Sequence, residues 1–197
     1  MGFKISMYNV SFLGLKENIA YGHQAIDAVK KDFPAGFMSS TYYQTFSKEK
    51  DDKTLCYYQD LIDTTRELVD YKKRLGKSKK EATYEAVRYT SAANCGEQAV
   101  LVSQKLDEIG IKNKVVSMNI RKNVPNCYYV TDGHSFCVID TADDMNIHNP
   151  DTWGKDAVVV DMWSNTVAKV KDAIDFFGTF LKPKENEVVQ FETASLY

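Results

Sequence analysis

The chain has 197 residues, of which 44% are hydrophobic and 26% charged, and a formal net charge of -2. That length fits one domain able to bury roughly 70% of its unfolded surface without disulfide or metal staples, and the composition excludes a disordered chain. Near-neutral charge excludes the electrostatic footprint of a nucleic-acid binder; the one dense basic stretch, Lys72 to Lys80, reads as a solvated helix junction.

Taken from the N-terminus, Met1 to Leu15 lacks the apolar core of a signal peptide, and no apolar run is long enough for a transmembrane helix. The opening Met1-Gly2-Phe3-Lys4-Ile5-Ser6 fits the loose pattern for N-myristoylation, so membrane association is expected only if Gly2 is acylated. No repeat or linker divides the chain. One domain over 1–197 is expected, with a helical front at 1–94, a core at 95–181 and a tail at 182–197.

Leu55, Tyr58, Ile62, Leu68 and Val69 recur near helical spacing from about Lys53 to Lys73, and Gly76 closes that helix. Ser78-Lys79-Lys80-Glu81 is a capping box that starts a second helix through Ala82, Ala86 and Val87, ending before Asn94. A third helix runs from Cys95 to about Glu108, with Ala99, Val102, Leu106 and Ile109 on one face and Gly110 as its terminator. The period then changes from 3.6 to 2. Val116, Met118 and Ile120 alternate with polar residues, followed by candidate strands at Cys127 to Val130, His134 to Ile139 and Val158 to Trp163. Thr131-Asp132-Gly133 reads as a turn and Met145 to Lys155 as a loop. A last helix would place Val167, Val170, Ile174, Phe177 and Leu181 on one stripe, stopped by Pro183. Helices, then an antiparallel sheet, then a closing helix give an α+β fold.

Four cysteines, Cys56, Cys95, Cys127 and Cys137, form no CxxC pair, so reduced thiols in a cytoplasmic setting are expected, with a Cys127 to Cys137 bridge left open. Asn94 and Glu97 stand in capping-box spacing, which puts Cys95 at the first helical position. Backbone N–H groups at a helix start favour a thiolate and can donate to a developing oxyanion. A lone cysteine there is otherwise a small buried residue. His134 shares a strand face with Phe136 and Val138, where a polar ring needs a partner. Asp161 lies within Val158-Val159-Val160-Asp161-Met162-Trp163, where an unpaired carboxylate is costly to bury. If the two strands are neighbours, Asp161 can hold the imidazole in the tautomer that accepts the Cys95 proton.

Other partners rank lower. Asp140 is about 20 Å along the strand from His134, too far to orient the ring. Asp132 is nearer but sits in the predicted turn. His23 and His148 lie in segments with no assigned strand or helix face and read as surface residues. Cys127, Cys137 and His134 match no zinc spacing and lack a fourth ligand, so neither metal nor cofactor is expected.

Asn-Cys-Gly-Glu-Gln-Ala at a helix start, then Asp-Gly-His-Ser-Phe-Cys-Val-Ile, then Val-Val-Val-Asp-Met-Trp together resemble the transglutaminase-like branch of the papain-like cysteine enzymes, especially members found among bacterial effector proteins. The resemblance spans roughly Ser91 to Trp163 and departs from the family in having Met162 where proline is frequent. It implies a papain-like arrangement in which the nucleophile helix packs on the sheet. It also implies Cys95 as nucleophile, His134 as general base and acid, and Asp161 as its orienter. The implied activity is acyl transfer on a protein amide, as a deamidase, transglutaminase or protease, with a host protein as substrate. An effector of this kind would reach the host cytosol without a cleavable signal peptide. The alternative expectation is a non-catalytic binding module that keeps the fold and engages a partner through its Tyr-rich front or the Met145 to Lys155 loop.

Overall fold

Residues 14–48, 50–122 and 130–194 are described by the computed structural model. The front contributes four helices, α1 (Leu15–Asp32), α2 (Ser40–Phe46), α3 (Asp52–Arg74) and α4 (Lys79–Thr90). Local chemistry sets their starts. Asp51 caps α3 by accepting from the Thr54 N–H at 2.9 Å, and Ser78 and Glu81 cap each other's backbone at the start of α4. Helix α5 (Cys95–Glu108) follows with the bounds its periodicity predicts.

Five strands come next: β1 (Asn113–Lys122), β2 (Val130–Ile139), β3 (Val158–Asp161), β4 (Thr166–Lys169) and, beyond α6 (Val170–Phe177), β5 (Glu187–Thr193). They form one sheet in the order β4-β3-β2-β1-β5, antiparallel throughout, so the fold is α+β. The period-2 alternation divides the core between two faces. Cys137 and Ile139 of β2 and Val158 and Val160 of β3 pack with Ile26 and Val29 of α1 and Leu101, Val102 and Leu106 of α5. Phe136, Val138 and Val159 point the other way, into Trp153 and into Ala173 and Phe177 of α6. Helix α1 approaches the sheet closely at Gly22, where a Cβ would lie 2.7 Å from Val167 Cγ1 and 2.9 Å from Val160 Cγ2. Among the described residues no helix is long and apolar enough to cross a membrane.

Several sequence expectations change. Thr131-Asp132-Gly133 is not a turn: it lies inside β2, with Asp132 opposite Ile120 and Gly133 opposite Asn119 of β1. A register shift at Ile120/Arg121 absorbs the irregularity, and Gly133 leaves room for Asn119 Oδ1, 2.6 Å from where a Cβ would stand. His134 is therefore mid-strand. Asp161 ends β3 rather than lying in its middle, and the chain turns through Asn165 (φ 57°) into β4. The stripe from Val167 to Leu181 is accordingly split, with Val167 on β4 and only Val170 to Phe177 helical. The predicted tail at 182–197 contains β5, which pairs with β1 along seven register positions. His23 is on α1, exposed as expected but on a helix face, and His148 is exposed with Nδ1 2.6 Å from the Phe191 carbonyl oxygen. The expectations for Gly2 and for Cys127 fall outside the described residues; Cys56, Cys95 and Cys137 are free thiols.

Candidate active site

Cys95 is the first residue of α5 and only partly buried. The Asn94–Glu97 capping box is present, and Glu97 carries its clearest bond, accepting from the Asn94 N–H at 3.0 Å. Glu97 is 1% exposed, and Arg66 of α3 offsets its charge through Nε at 3.2 Å. The short contacts of the Asn94 side chain go to the start of α2. Its Oδ1 accepts from Ser39 Oγ at 2.8 Å and Thr41 Oγ1 at 3.2 Å, while its Nδ2 donates to Ser40 Oγ at 3.0 Å. A bridge between Met38 and Ala92, with Ala93 N–H donating to the Met38 carbonyl at 3.1 Å, holds the two approach segments together. Helix α2 is thereby fixed beside Cys95.

His134 and Asp161 meet across β2 and β3, on the sheet face that carries Phe136 and Val159. The ring Nε2 lies 2.8 Å from Asp161 Oδ2, and because a carboxylate only accepts, Nε2 carries the hydrogen. Both side chains are almost wholly buried, at 2% and 1% exposure. Asp161 is held by three further donors: the Trp163 N–H at 3.0 Å, the Ser164 N–H at 3.3 Å and the Ser164 hydroxyl. These two backbone donors exist because β3 ends at Asp161 and the chain curls back over the carboxylate. A buried acceptor with this many donors is pinned in place, and the donors offset the cost of taking it out of water.

With Nε2 committed to Asp161, Nδ1 is the nitrogen left for the cysteine, and Cys95 is near enough to add to the ring's hold on its proton. Burial alone would push the imidazole below its ordinary value. The charge and hydrogen bond of Asp161, followed by those of Cys95, override that and raise it from 6.5 to about 10. Aromatic rings close round the imidazole, Trp163 at 4.9 Å, Phe177 at 4.8 Å and Phe180 at 5.6 Å between centroids, which keeps water away from the pair.

Cys95 and His134 open onto a cleft of about 300 Å³. Thr41, Gln44 and Thr45 of α2 form one wall and Thr131, Asp132 and Gly133 of β2 another; Trp163, Phe180 and Leu181 close it. The three residues predicted to act together are thus brought together. Asp140, by contrast, points away to Asn18 Nδ2 at 3.1 Å, and Asp132 lines the cleft without orienting the ring. The α2 wall was not foreseen. Its only sequence signal is Ser39, whose Oγ accepts from the Tyr42 N–H at 3.2 Å as an N-cap. Among the described residues no group of three or more His, Cys, Asp or Glu side chains is arranged to hold a metal ion.

The fold and site together define an α+β protein with a thiol and an imidazole opening onto a cleft and a carboxylate buried behind the imidazole. Comparison of the chain with protein-family models, with curated proteins and with solved structures gave no match.

Proposed function

We propose that the protein is a cysteine-dependent acyl-transfer enzyme acting on protein amides, with Cys95 as nucleophile, His134 as general base and acid, and Asp161 as the group that orients the ring. The single observation that carries this is the ordered chain from Cys95 through His134 to Asp161, with the free end of the chain in a cleft and the carboxylate end buried. A thiol that merely fills space at a helix start needs no imidazole beside it, still less a carboxylate holding that imidazole.

In the proposed reaction the Cys95 sulfur, its proton held by His134, attacks the amide carbonyl carbon. The oxyanion forms near the backbone N–H groups at the start of α5, and His134 then donates its proton to the leaving nitrogen, which departs as ammonia or an amine. Water or an amine attacks the thioester, His134 takes the proton from it, and the thiol is released with a carboxylic acid or a new amide. Water gives deamidation or proteolysis, and an amine gives cross-linking. This is the chemistry of the transglutaminase-like, papain-like enzymes that the three motifs resemble. We extend the resemblance to a bacterial effector working on a host protein in the host cytosol.

The test is to incubate the protein and its Cys95→Ala form with a candidate host lysate and search by mass spectrometry for Cys95-dependent changes. Gains of about one mass unit indicate deamidation, new N-termini proteolysis, and linked peptides transamidation. Identical peptide maps from the two forms, with Cys95 and Cys56 alkylated by iodoacetamide at equal rates, would overturn the proposal and favour the binding-module alternative.

A further inference from the structure

Among the described residues, Asp132 is the one member of the cleft whose charge has no counterpart. It sits two residues before His134 on β2, so the two side chains leave the strand on the same face about 6.6 Å apart along the chain. It is exposed, and its Oδ1 accepts from the N–H of its own neighbour Gly133 at 2.8 Å. Among the described residues its Oδ2 has no partner, and no lysine, arginine or histidine lies within ion-pair distance of it. The charges deeper in the site balance: the His134 ring faces the Asp161 carboxylate at 2.8 Å. The other cleft-lining side chains include no further carboxylate, lysine or arginine. Among the described residues, the cleft that Cys95 lines therefore carries one uncompensated negative charge.

The aromatic members of the lining have a complementary property. Trp163 and Phe180, whose ring centroids are 5.5 Å apart, are aromatic surfaces of the kind that attract an ammonium or guanidinium group. The threonine hydroxyls and Gln44 amide of the remaining walls are neutral and impose no charge preference. A carboxylate with a free oxygen in a cleft that is also lined by aromatic rings favours a cation and repels an acid.

We propose that Asp132 makes the cleft selective for a substrate segment carrying a lysine or arginine side chain next to the amide that reaches Cys95. This rests on the acyl-transfer reading for its biological meaning, but the electrostatic preference is a property of the cleft and is measurable without turnover. Asp132 is on this account a specificity-determining residue, not a member of the reacting triad.

The experiment compares three methanethiosulfonates, cationic (ethylammonium), anionic (ethylsulfonate) and neutral (methyl), as modifiers of Cys95, in full-length protein carrying Cys56→Ser and read by peptide mass spectrometry. The cationic reagent is expected to react at least about tenfold faster than the anionic one at low salt, with the ratio shrinking in 0.5 M salt. Asp132→Asn should lower that ratio about tenfold, Asp132→Lys should invert it, and Asp132→Glu should keep it. A wild-type ratio near one, or equal ratios in the wild type and Asp132→Asn, overturns the proposal. In parallel, peptides with lysine, alanine or glutamate beside a glutamine are offered to the wild type and Asp132→Asn. Loss of the lysine preference in the variant supports the assignment, and an unchanged preference overturns it. If the wild type processes none of the peptides while the reagent ratios behave as stated, the acyl-transfer reading fails and the charge preference of the cleft stands.

Discussion

Two cysteines lie on neighbouring elements of the same core and could hardly differ more. Cys95 begins α5, partly exposed, with an imidazole beside it and a cleft in front. Cys137, three residues along β2 from His134, is fully buried; its Sγ lies 3.4 Å from Asn113 Oδ1 and 3.7 Å from the Ala99 carbonyl oxygen, and burial pushes its thiol up to about 12. The surroundings, and not the residue type, set the two apart: one sulfur opens onto a cleft beside an imidazole, the other lies where burial suppresses its thiolate. The sharpest way to break this comparison is substitution. Cys95→Ala should lower turnover by at least about 10⁴-fold, since the residues of a triad act as a unit. Iodoacetamide at pH 7 should label Cys95 at least about 100 times faster than Cys137, measured by time-resolved peptide mass spectrometry. Comparable rates would mean that the environment of Cys95 does nothing for its sulfur.

The carboxylate end supplies the next test. Asp161→Asn keeps shape but removes the charge that raises the His134 ring, and turnover should fall by about 10³-fold. The ring's titration, followed by NMR, should move down from about 10. The linked stability has a definite sign. A folded value raised above 6.5 means the charged ring's contribution is whole below about pH 6.5 and is lost as pH climbs through about 10. In a Cys95→Ala background, which removes the coupled thiol, urea unfolding should show stability declining with pH above about 6.5, and adding Asp161→Asn should flatten that decline. A slope unchanged by Asp161→Asn would remove Asp161 as the main cause of the shift.

The two halves of the site were unequally legible in the sequence. Helices α3, α4 and α5 announced themselves through apolar periodicity and local caps, so the place of Cys95 could be read to the residue. His134 and Asp161 could be nominated because polar groups on apolar strand faces need partners, although Asp132-Gly133 mimics a turn and hid the true start of β2. What was not legible depends on partners distant in the chain. Helix α2 is seven residues with no charge, and its role comes from Asn94, 55 residues after Ser39 in the chain. Strand β4 is four residues long and merges into α6, while β5 owes its existence to the edge that β1 offers. The enclosure of His134 by Trp163, Phe177 and Phe180 depends on such distant contacts too: in the sequence Phe177 shows only as part of a helical stripe and Trp163 only as the end of a strand.

Glu97 tests how the Cys95 side is held. It is a buried carboxylate that satisfies Asn94 N–H and pairs with Arg66, so it positions the start of α5 from within. Glu97→Ala leaves the Asn94 N–H without the Glu97 oxygen and takes one partner from Arg66, which also pairs with Asp63 at 3.8 Å, and should cost about 3 kcal/mol in urea unfolding, whereas Glu97→Gln, which can still accept from Asn94, should cost less. As a positioning residue it should lower kcat more than it changes KM. Full activity in a folded Glu97→Ala protein would show that α5 needs no internal brace.

The smallest expected effect falls on the other cysteine, and it completes the contrast. Cys137 packs among Val102, Leu106 and Val160, and its sulfur hydrogen-bonds weakly with groups already engaged elsewhere: Asn113 Oδ1 also takes the Ser103 hydroxyl at 2.5 Å. Replacing it with alanine removes one atom's worth of packing and leaves those neighbours partnered, so about 1 kcal/mol of stability should be lost. The Cys137→Ala protein should modify Cys95 at the wild-type rate and retain turnover within about twofold. If it instead lost activity in proportion to Cys95→Ala, the nucleophile would have to be reached through β2, and the cleft at the start of α5 would no longer be the place where the chemistry happens.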